Sequence, residues 1–249
     1  MLTHGLLDRL SAMKLHGMAQ ALQDIQAGKD NADLSFEDRL TLMIDHEEAV
    51  RASRSLKRRL QVAKLRYPQA AVEDVDFRHK RGLKRSSFLA LARCEWVRTG
   101  YNLLITGKTG LGKTWLACAL GQRACREGYS VRYLRLPKLF DMMKAARGDG
   151  TTSRFFERLG KTQLLILDEF GLYPMTSDQR RDLSEIIEDR AQRRSTIVTS
   201  QLDSNIWHDA FGDPTLADAV LDRLVHNAYR LDLEGESMRG KSCPPELEG

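Results

Sequence analysis

The sequence predicts an α/β fold with a parallel sheet, preceded by a small all-helical domain. From residue 102 onward, short apolar or β-branched runs alternate with segments of helical periodicity, which is the pattern of a parallel sheet covered on both faces. Before residue 70, apolar residues recur at helical spacing. The chain has 249 residues and a hydrophobic content of 42%. It can therefore bury a sizeable core, and its composition excludes a disordered chain.

The N-terminal region is predicted to contain three amphipathic helices. The first covers residues 3–27. The second begins at Ser35, which stands three residues before Asp38 in a variant of the capping box. Its buried side is expected to carry Phe36, Leu40, Met43, Ile44 and Val50. The third has the narrow apolar stripe Leu56, Leu60 and Ala63. It ends at Tyr67-Pro68, because the residue before a proline avoids helical geometry. Residues 1–70 are therefore assigned to a helical domain.

The net charge of +5 conceals an uneven distribution. Residues 51–93 contain thirteen basic and three acidic residues, a net charge of +10, so the remainder of the chain carries −5. Residues 51–66, here called the basic segment, contain no acid at all. Such a run is typical of a surface that binds a polyanion, although many charge runs are only solvated helix faces. The predicted DNA contacts are Arg51, Arg54, Lys57, Arg58, Arg59, Lys64 and Arg66.

The remaining elements follow in order along the chain. Residues 71–100 are expected to form a basic linker with a lead-in helix from Ser87 to about Arg98, which breaks at Gly100. The predicted strands are Leu103–Ile105, Val131–Leu136, Leu164–Leu167 and Thr196–Thr199. The predicted helices are Trp115–Arg126, Pro137–Arg147 and Ser177–Arg194. The α/β domain is expected to cover residues 101–240, followed by a tail over residues 241–249.

One motif lies directly after the first strand and directly before the first helix of this domain. Its residues are Gly107, Lys108, Thr109, Gly110, Leu111, Gly112, Lys113 and Thr114, which match G-x-x-x-x-G-K-[ST]. In such a P-loop the glycines let backbone N–H groups surround the phosphates, and the helix N-terminus adds a positive end. Lys113 is expected to reach the β- and γ-phosphates, and the Thr114 hydroxyl is expected to ligate Mg²⁺.

A second candidate site is the pair of carboxylates that ends the strand beginning at Leu164. Asp168 and Glu169 follow four apolar residues, and a strand beside the P-loop would bring both to the metal. Asp168 is expected to hold Mg²⁺ through water, and Glu169 is placed to polarise an attacking water. The two motifs together predict hydrolysis of a nucleoside triphosphate. A zinc site and a disulfide framework are not expected, because the four cysteines form no C-x-x-C pair.

The order of the remaining motifs resembles that of one ATPase family. Residues 197–201, Ile-Val-Thr-Ser-Gln, resemble the sensor-one strand of AAA+ ATPases. Trp207, residues 217–227 and residues 235–239 are similar to the C-terminal signature of the IstB transposition-helper ATPases, which belong to the DnaC/DnaA-like initiator group. The pattern Leu10, Lys14-Leu15, Gly17-Met18 and Leu22 resembles the same family. The resemblance covers nearly the full chain, and it implies that the nucleotide is ATP.

The resemblance also implies roles for three residues. Arg223 matches the arginine finger that one subunit presents to the γ-phosphate bound by its neighbour. Arg239 matches the sensor-two arginine. Gln201 stands where many AAA+ proteins have asparagine, and its amide can orient water. Only ten residues follow Arg239, so the helical lid found in most AAA+ proteins is expected to be truncated.

The resemblance implies a DNA-binding, oligomeric ATPase with ATP and Mg²⁺ as cofactors and with duplex DNA and a cognate transposase as partners. A DnaC-like loader of the replicative helicase remains an alternative, as does an architectural DNA binder in which hydrolysis is incidental. A small-molecule P-loop kinase is a third. No stretch approaches the roughly 18 apolar residues that span a bilayer, and the N-terminus lacks the apolar run of a signal peptide. The protein is expected in the bacterial cytoplasm.

Overall fold

The computed structural model describes residues 2–28 and 34–238. Its contacts divide the chain into two units, residues 1–58 and 59–249. This division falls within the basic segment and earlier than the expected boundary near residue 70. The last turn of the third long helix therefore belongs to the second unit, together with the α/β domain.

The first unit consists of helices. Helix α1 spans Leu2–Ala12, α2 spans His16–Ala27, and α3 spans Phe36–Ala63 and continues into the second unit. The prediction of one helix over residues 3–27 is wrong, because Lys14 has φ +61° and the chain turns there. The Glu47 carboxylate accepts hydrogen bonds from the backbone amides of Gly17 (2.6 Å) and Met18 (3.1 Å). It thereby satisfies donors at the start of α2 that have no partner within the helix.

Helix α3 is a single helix of 28 residues rather than the two that were predicted. The expected capping box is present, because the Asp38 amide donates to Ser35 Oγ and the Ser35 amide donates to the Asp38 carboxylate. The expected buried side is wrong for Phe36, Leu40 and Ile44, whose side chains are exposed. The buried contact of α3 in this unit lies instead at Glu47, which faces the start of α2.

The second unit is built on one parallel sheet. Its strands are β1 (Asn102–Gly107), β2 (Val131–Arg135), β3 (Leu164–Phe170), β4 (Ser195–Ser200) and β5 (Ala228–Leu233). They lie in the order β2-β3-β4-β1-β5, all parallel. The carboxyl ends of β1, β4 and β3 are thus neighbours at one edge, where α/β proteins place their ligands. The predicted α/β fold with a parallel sheet is confirmed.

Helices connect the strands of the second unit. They are α4 (Arg85–Leu91), α5 (Glu95–Thr99), α6 (Lys113–Arg126), α7 (Leu136–Gly148), α8 (Thr152–Lys161), α9 (Ser177–Arg190), α10 (Trp207–Phe211) and α11 (Pro214–Val225). The single lead-in helix expected from Ser87 to Arg98 is wrong, because Cys94 has φ +60° and separates α4 from α5. Gly100 ends α5 with φ +76°, as expected. None of the helices in the described ranges is long and apolar enough to cross a membrane.

The core of the second unit lies on both faces of the sheet. The central strands β1 and β3 are buried along nearly their whole length. Helix α6 buries nine of its residues, and α7, α8, α9 and α11 contribute apolar side chains to the main cluster. Because these strands are packed on both faces, the positions of their carboxyl ends are fixed. The loops that follow β1, β3 and β4 therefore project from a rigid base.

Candidate functional site

The loop between β1 and α6 has the backbone geometry that its glycines allow. Gly107, Gly110 and Gly112 have φ values of +134°, +90° and +84°, a region that other residues rarely adopt. The chain also comes close to its neighbours here. A Cβ atom at Gly107 would lie 2.2 Å from the Leu233 carbonyl oxygen, and one at Gly110 would lie 2.0 Å from Ser237 Oγ. Both backbone conformation and space therefore require glycine.

Lys113 stands at the start of α6 and extends its side chain across the loop. Its Nζ donates to the carbonyl oxygens of Gly107 (2.5 Å) and Lys108 (2.8 Å). The side chain is largely buried. The ammonium group of Lys113 and the N-terminus of the 14-residue helix α6 both place positive charge at the loop. The loop therefore fits a polyphosphate.

Asp168 is buried at the end of β3 and accepts three hydroxyl hydrogen bonds. Thr114 Oγ1 lies 2.9 Å from Oδ1 and 3.2 Å from Oδ2. The Tyr133 hydroxyl donates to Oδ2 at 2.5 Å, and the Thr199 hydroxyl donates to Oδ1. The Thr114 hydroxyl and the Asp168 carboxylate are hydrogen-bonded to each other, and both offer the oxygen ligands that Mg²⁺ prefers. Mg²⁺ sites commonly use only one or two protein carboxylates. These two residues fit the metal that the sequence predicts.

Glu169 follows Asp168 at an irregularity of the sheet. The register between β3 and β4 shifts between Leu167 and Phe170, and Glu169 has φ +65°. Such a conformation costs a non-glycine residue about 1–3 kcal/mol and is concentrated at functional sites. Two arginines face the carboxylate: Arg135 Nε lies 2.9 Å from Oε2, and Arg66 Nη1 lies 3.6 Å from Oε1.

Lys113, Thr114, Asp168, Glu169 and Arg66 line one cleft of about 430 Å³, within the usual size range of ligand sites. The cleft brings together most of the residues that the sequence predicted for nucleotide and metal. They are Thr109, Gly110, Gly112, Lys113, Thr114, Asp168, Glu169 and Gln201. The Gln201 side chain is exposed, and its Oε1 accepts a hydrogen bond from the Thr109 hydroxyl at 2.7 Å. Gln201 therefore contacts the P-loop directly.

Two segments outside the P-loop and the strand of Asp168 also line the cleft: Arg81 of the expected linker, and Met238 beside the predicted sensor-two Arg239. Arg81, expected within a linker, is buried and donates from Nη1 to the Leu111 carbonyl oxygen (2.9 Å) and to Met238 Sδ (3.0 Å). Burial lowers the pKa of its guanidinium group. The Met238 amide in turn donates to the Gly110 carbonyl oxygen at 2.9 Å. Short sequence motifs carry no signal for these contacts, because both segments are distant from the P-loop in the chain.

Arg223 lies on α11 and does not line the cleft of its own chain. Its Nη1 donates to the Ala219 carbonyl oxygen (2.7 Å), and its Nη2 lies 2.5 Å from Glu188 Oε2 on α9. The side chain remains about one third exposed. Arg239 lies outside the described residues, so the expectation for it stays a prediction.

The residues predicted to contact DNA have different surroundings. Arg54, Lys57, Arg58 and Lys64 have exposed side chains. Arg51 is exposed but pairs with Glu47 at 2.6 Å within the first unit. Arg59 donates from Nε to the Cys125 carbonyl oxygen at 2.8 Å. Arg66 lines the nucleotide cleft. The basic segment is therefore not one uniform solvated face.

Comparison with known proteins adds a family and a fold. The profile of the family described as IstB-like ATP binding protein matches residues 8–243. An insertion sequence ATP-binding protein of Sinorhizobium fredii, y4pL, is 51% identical over 239 residues, which cover 96% of this chain and 97% of the relative.

Two solved structures share the fold of the second unit's core at low sequence identity. The DnaC helicase loader has a TM-score of 0.57 at 23% identity and is matched over 68% of this chain and 99% of that chain. AMPPCP-bound DnaA from Aquifex aeolicus has a TM-score of 0.53 at 20% identity, over 68% of this chain and 51% of that chain. At these identities the likeness shows the fold alone. It confirms the predicted AAA+ P-loop core.

Proposed function

Since the chain belongs to the family of IstB-like ATP binding proteins, we propose that it binds and hydrolyses ATP, assembles on duplex DNA and stimulates the transposase of an insertion sequence. The observation that carries this proposal is the meeting of Lys113, Thr114, Asp168 and Glu169 in one cleft. These residues come from two motifs more than fifty positions apart in the sequence. Their convergence at the sheet edge provides the groups that hydrolysis needs.

Each of these residues has a distinct task in the proposed reaction. Lys113 and the N-terminus of α6 bind and neutralise phosphate oxygens. Thr114 and Asp168 hold Mg²⁺, whose chemistry when bound is further neutralisation of phosphate charge. Glu169 orients the attacking water and accepts its proton, and Gln201 holds the loop at Thr109. The products are ADP and inorganic phosphate.

The role proposed for Arg223 requires a second subunit. Its guanidinium group is partly exposed on α11 and lies outside the cleft of its own chain. We expect it to approach the γ-phosphate bound by a neighbouring copy, as arginine fingers do. Assembly and hydrolysis are then linked, because a single chain has an incomplete site. A homo-oligomer on DNA follows from this arrangement.

The proposed DNA contact is the exposed part of the basic segment. Arg54, Lys57, Arg58 and Lys64 present four cations to solvent, and each phosphate they neutralise releases counterions. This affinity is independent of sequence, which suits a protein that selects target DNA for a transposase. Strand transfer itself is assigned to the transposase, as the family resemblance implies.

A phosphate-release assay tests the proposal without any other substrate. Wild-type protein with ATP and Mg²⁺ should release phosphate, and duplex DNA should increase the rate. Lys113→Ala should abolish both rates while leaving the melting temperature unchanged. A requirement for a small acceptor molecule, with no effect of DNA, would instead indicate a small-molecule kinase and would refute the proposed function.

A further inference from the structure

Tyr133 is a buried hydroxyl donor to Asp168 that the sequence motifs do not reveal. It lies on β2, where the register pairs Arg135 with Asp168. Its side chain is buried, and its hydroxyl donates to Asp168 Oδ2 at 2.5 Å.

Arg66 lies beside the same carboxylate without a direct hydrogen bond to it. Its Nη1 is 3.9 Å from Asp168 Oδ2 and 3.6 Å from Glu169 Oε1, both beyond normal hydrogen-bond distance. Arg66 therefore contributes positive charge near the two carboxylates, whereas the Tyr133 hydroxyl contacts Asp168 directly.

The backbone at Arg66 is held against helix α6. Leu65, the residue before Arg66, is buried. Leu65 packs on Gly121, where an added Cβ would lie 3.1 Å from Leu65 Cδ2. Arg66 therefore leaves a fixed backbone, although its side chain is about 43% exposed.

We propose that Tyr133 is a positioning residue that holds the Asp168 carboxylate in the orientation needed to bind Mg²⁺. This inference rests on the proposed nucleotide site. The Thr199 hydroxyl fixes Oδ1 and the Tyr133 hydroxyl fixes Oδ2, whereas the Thr114 hydroxyl is shared between the two oxygens. Without such hydrogen bonds, an aspartate carboxylate rotates almost freely about its Cβ–Cγ bond. Loss of Tyr133 removes the donor that is specific to Oδ2.

The expected effect is on metal affinity rather than on nucleotide affinity. Partners that orient a metal ligand typically contribute about 10–100-fold to metal binding. Tyr133→Phe keeps the buried ring and should raise the Mn²⁺ concentration for half-saturation of the ADP complex about tenfold. Affinity for ADP in the presence of EDTA should remain unchanged in Tyr133→Phe, because Tyr133 does not line the cleft.

Electron paramagnetic resonance titration of Mn²⁺ into the full-length protein with ADP provides the test. Tyr101→Phe is the matched control, because Tyr101 packs against Tyr229 and lies outside the cleft. Weaker Mn²⁺ binding in Tyr133→Phe, but not in Tyr101→Phe, supports the proposal. Unchanged Mn²⁺ affinity in a folded Tyr133→Phe overturns it.

Two further results keep this test decisive. If Tyr133→Phe fails to fold, Tyr133→Leu decides instead, because it also removes the hydroxyl and keeps an apolar side chain at this buried position, and unchanged Mn²⁺ affinity in that variant overturns the proposal. If the wild-type protein binds ADP neither with nor without Mn²⁺, the proposed function itself is wrong and this inference falls with it. If the wild-type protein binds ADP and Mn²⁺ but the Tyr133 variant binds Mn²⁺ equally well, the inference fails and the proposed function stands.

Discussion

The nucleotide cleft and the basic segment both collect charged side chains, but they hold them in different ways. In the cleft, Asp168 accepts three hydroxyl hydrogen bonds and Glu169 faces two arginines, so each charge has specific partners. Along the basic segment, Arg54, Lys57 and Arg58 are exposed to solvent. Function in the cleft should therefore depend on individual atoms, whereas DNA binding should depend on the number of cations.

The basic segment itself changes character along its length. Arg54, Lys57, Arg58 and Lys64 are exposed, whereas Arg59 contacts a backbone carbonyl of α6 and Arg66 lines the cleft. A charge count therefore overstates the number of residues available to DNA. The contacts of Arg59 with α6 and of Arg66 with the carboxylates of β3 also show that the end of the basic segment is a structural part of the second unit.

The largest expected effect concerns Arg223. Arg223→Ala should lower the ATPase rate of the assembled protein about 10³-fold or more, because arginine fingers elsewhere contribute about 10³–10⁵-fold. Glu188→Gln is the matched control, since it removes the ion partner of Arg223 and keeps the guanidinium group. Its rate should stay close to that of the wild type.

Mixing two inactive variants tests whether Arg223 acts between subunits. Arg223→Ala subunits retain an intact P-loop, and Lys113→Ala subunits retain an intact Arg223. An equimolar mixture should regain part of the wild-type rate, because some interfaces combine both intact parts. No recovery in a mixture that forms oligomers would place the action of Arg223 within its own chain.

A smaller effect is expected from two neighbouring arginines of the basic segment. Arg58→Ala should reduce the slope of log affinity for duplex DNA against log salt concentration by about 0.9, the contribution of one phosphate contact. Arg59→Ala should leave that slope unchanged and instead lower the free energy of unfolding by about 1 kcal/mol, because it loses its bond to the Cys125 carbonyl oxygen. Salt titrations and denaturant unfolding of both variants provide the measurements. Equal slopes for Arg58→Ala and the wild type would mean that this face only contacts solvent.

The sequence was sufficient to predict the P-loop and the carboxylate pair because each is contiguous and lies between recognisable elements. Strand β3 has four apolar residues before Asp168, and Gly107 to Thr114 follow β1 directly. Strand β5 was missed because it alternates apolar with exposed polar residues and lies at the sheet edge.

The supporting residues of the cleft could not be predicted, because their contacts depend on distant pairings. Tyr133 and Asp168 are 35 positions apart, and Arg81 and Met238 are 157 positions apart. Periodicity also failed in the N-terminal region, where Lys14 adopts a left-handed backbone and interrupts an otherwise regular stripe. Such a turn is stabilised by tertiary contacts, including the Glu47 carboxylate at the start of α2.

Replacement of the carboxylate of Glu169 by an amide tests the central claim most directly. Glu169→Gln should bind ATP and assemble on duplex DNA like the wild type, while phosphate release falls about 10²-fold or more because the general base is lost. Repeated rounds of transposition with the cognate transposase should then slow with the loss of hydrolysis. If this variant supports transposition at the wild-type rate over many rounds, hydrolysis is dispensable, and the protein is a nucleotide-gated architectural DNA binder instead.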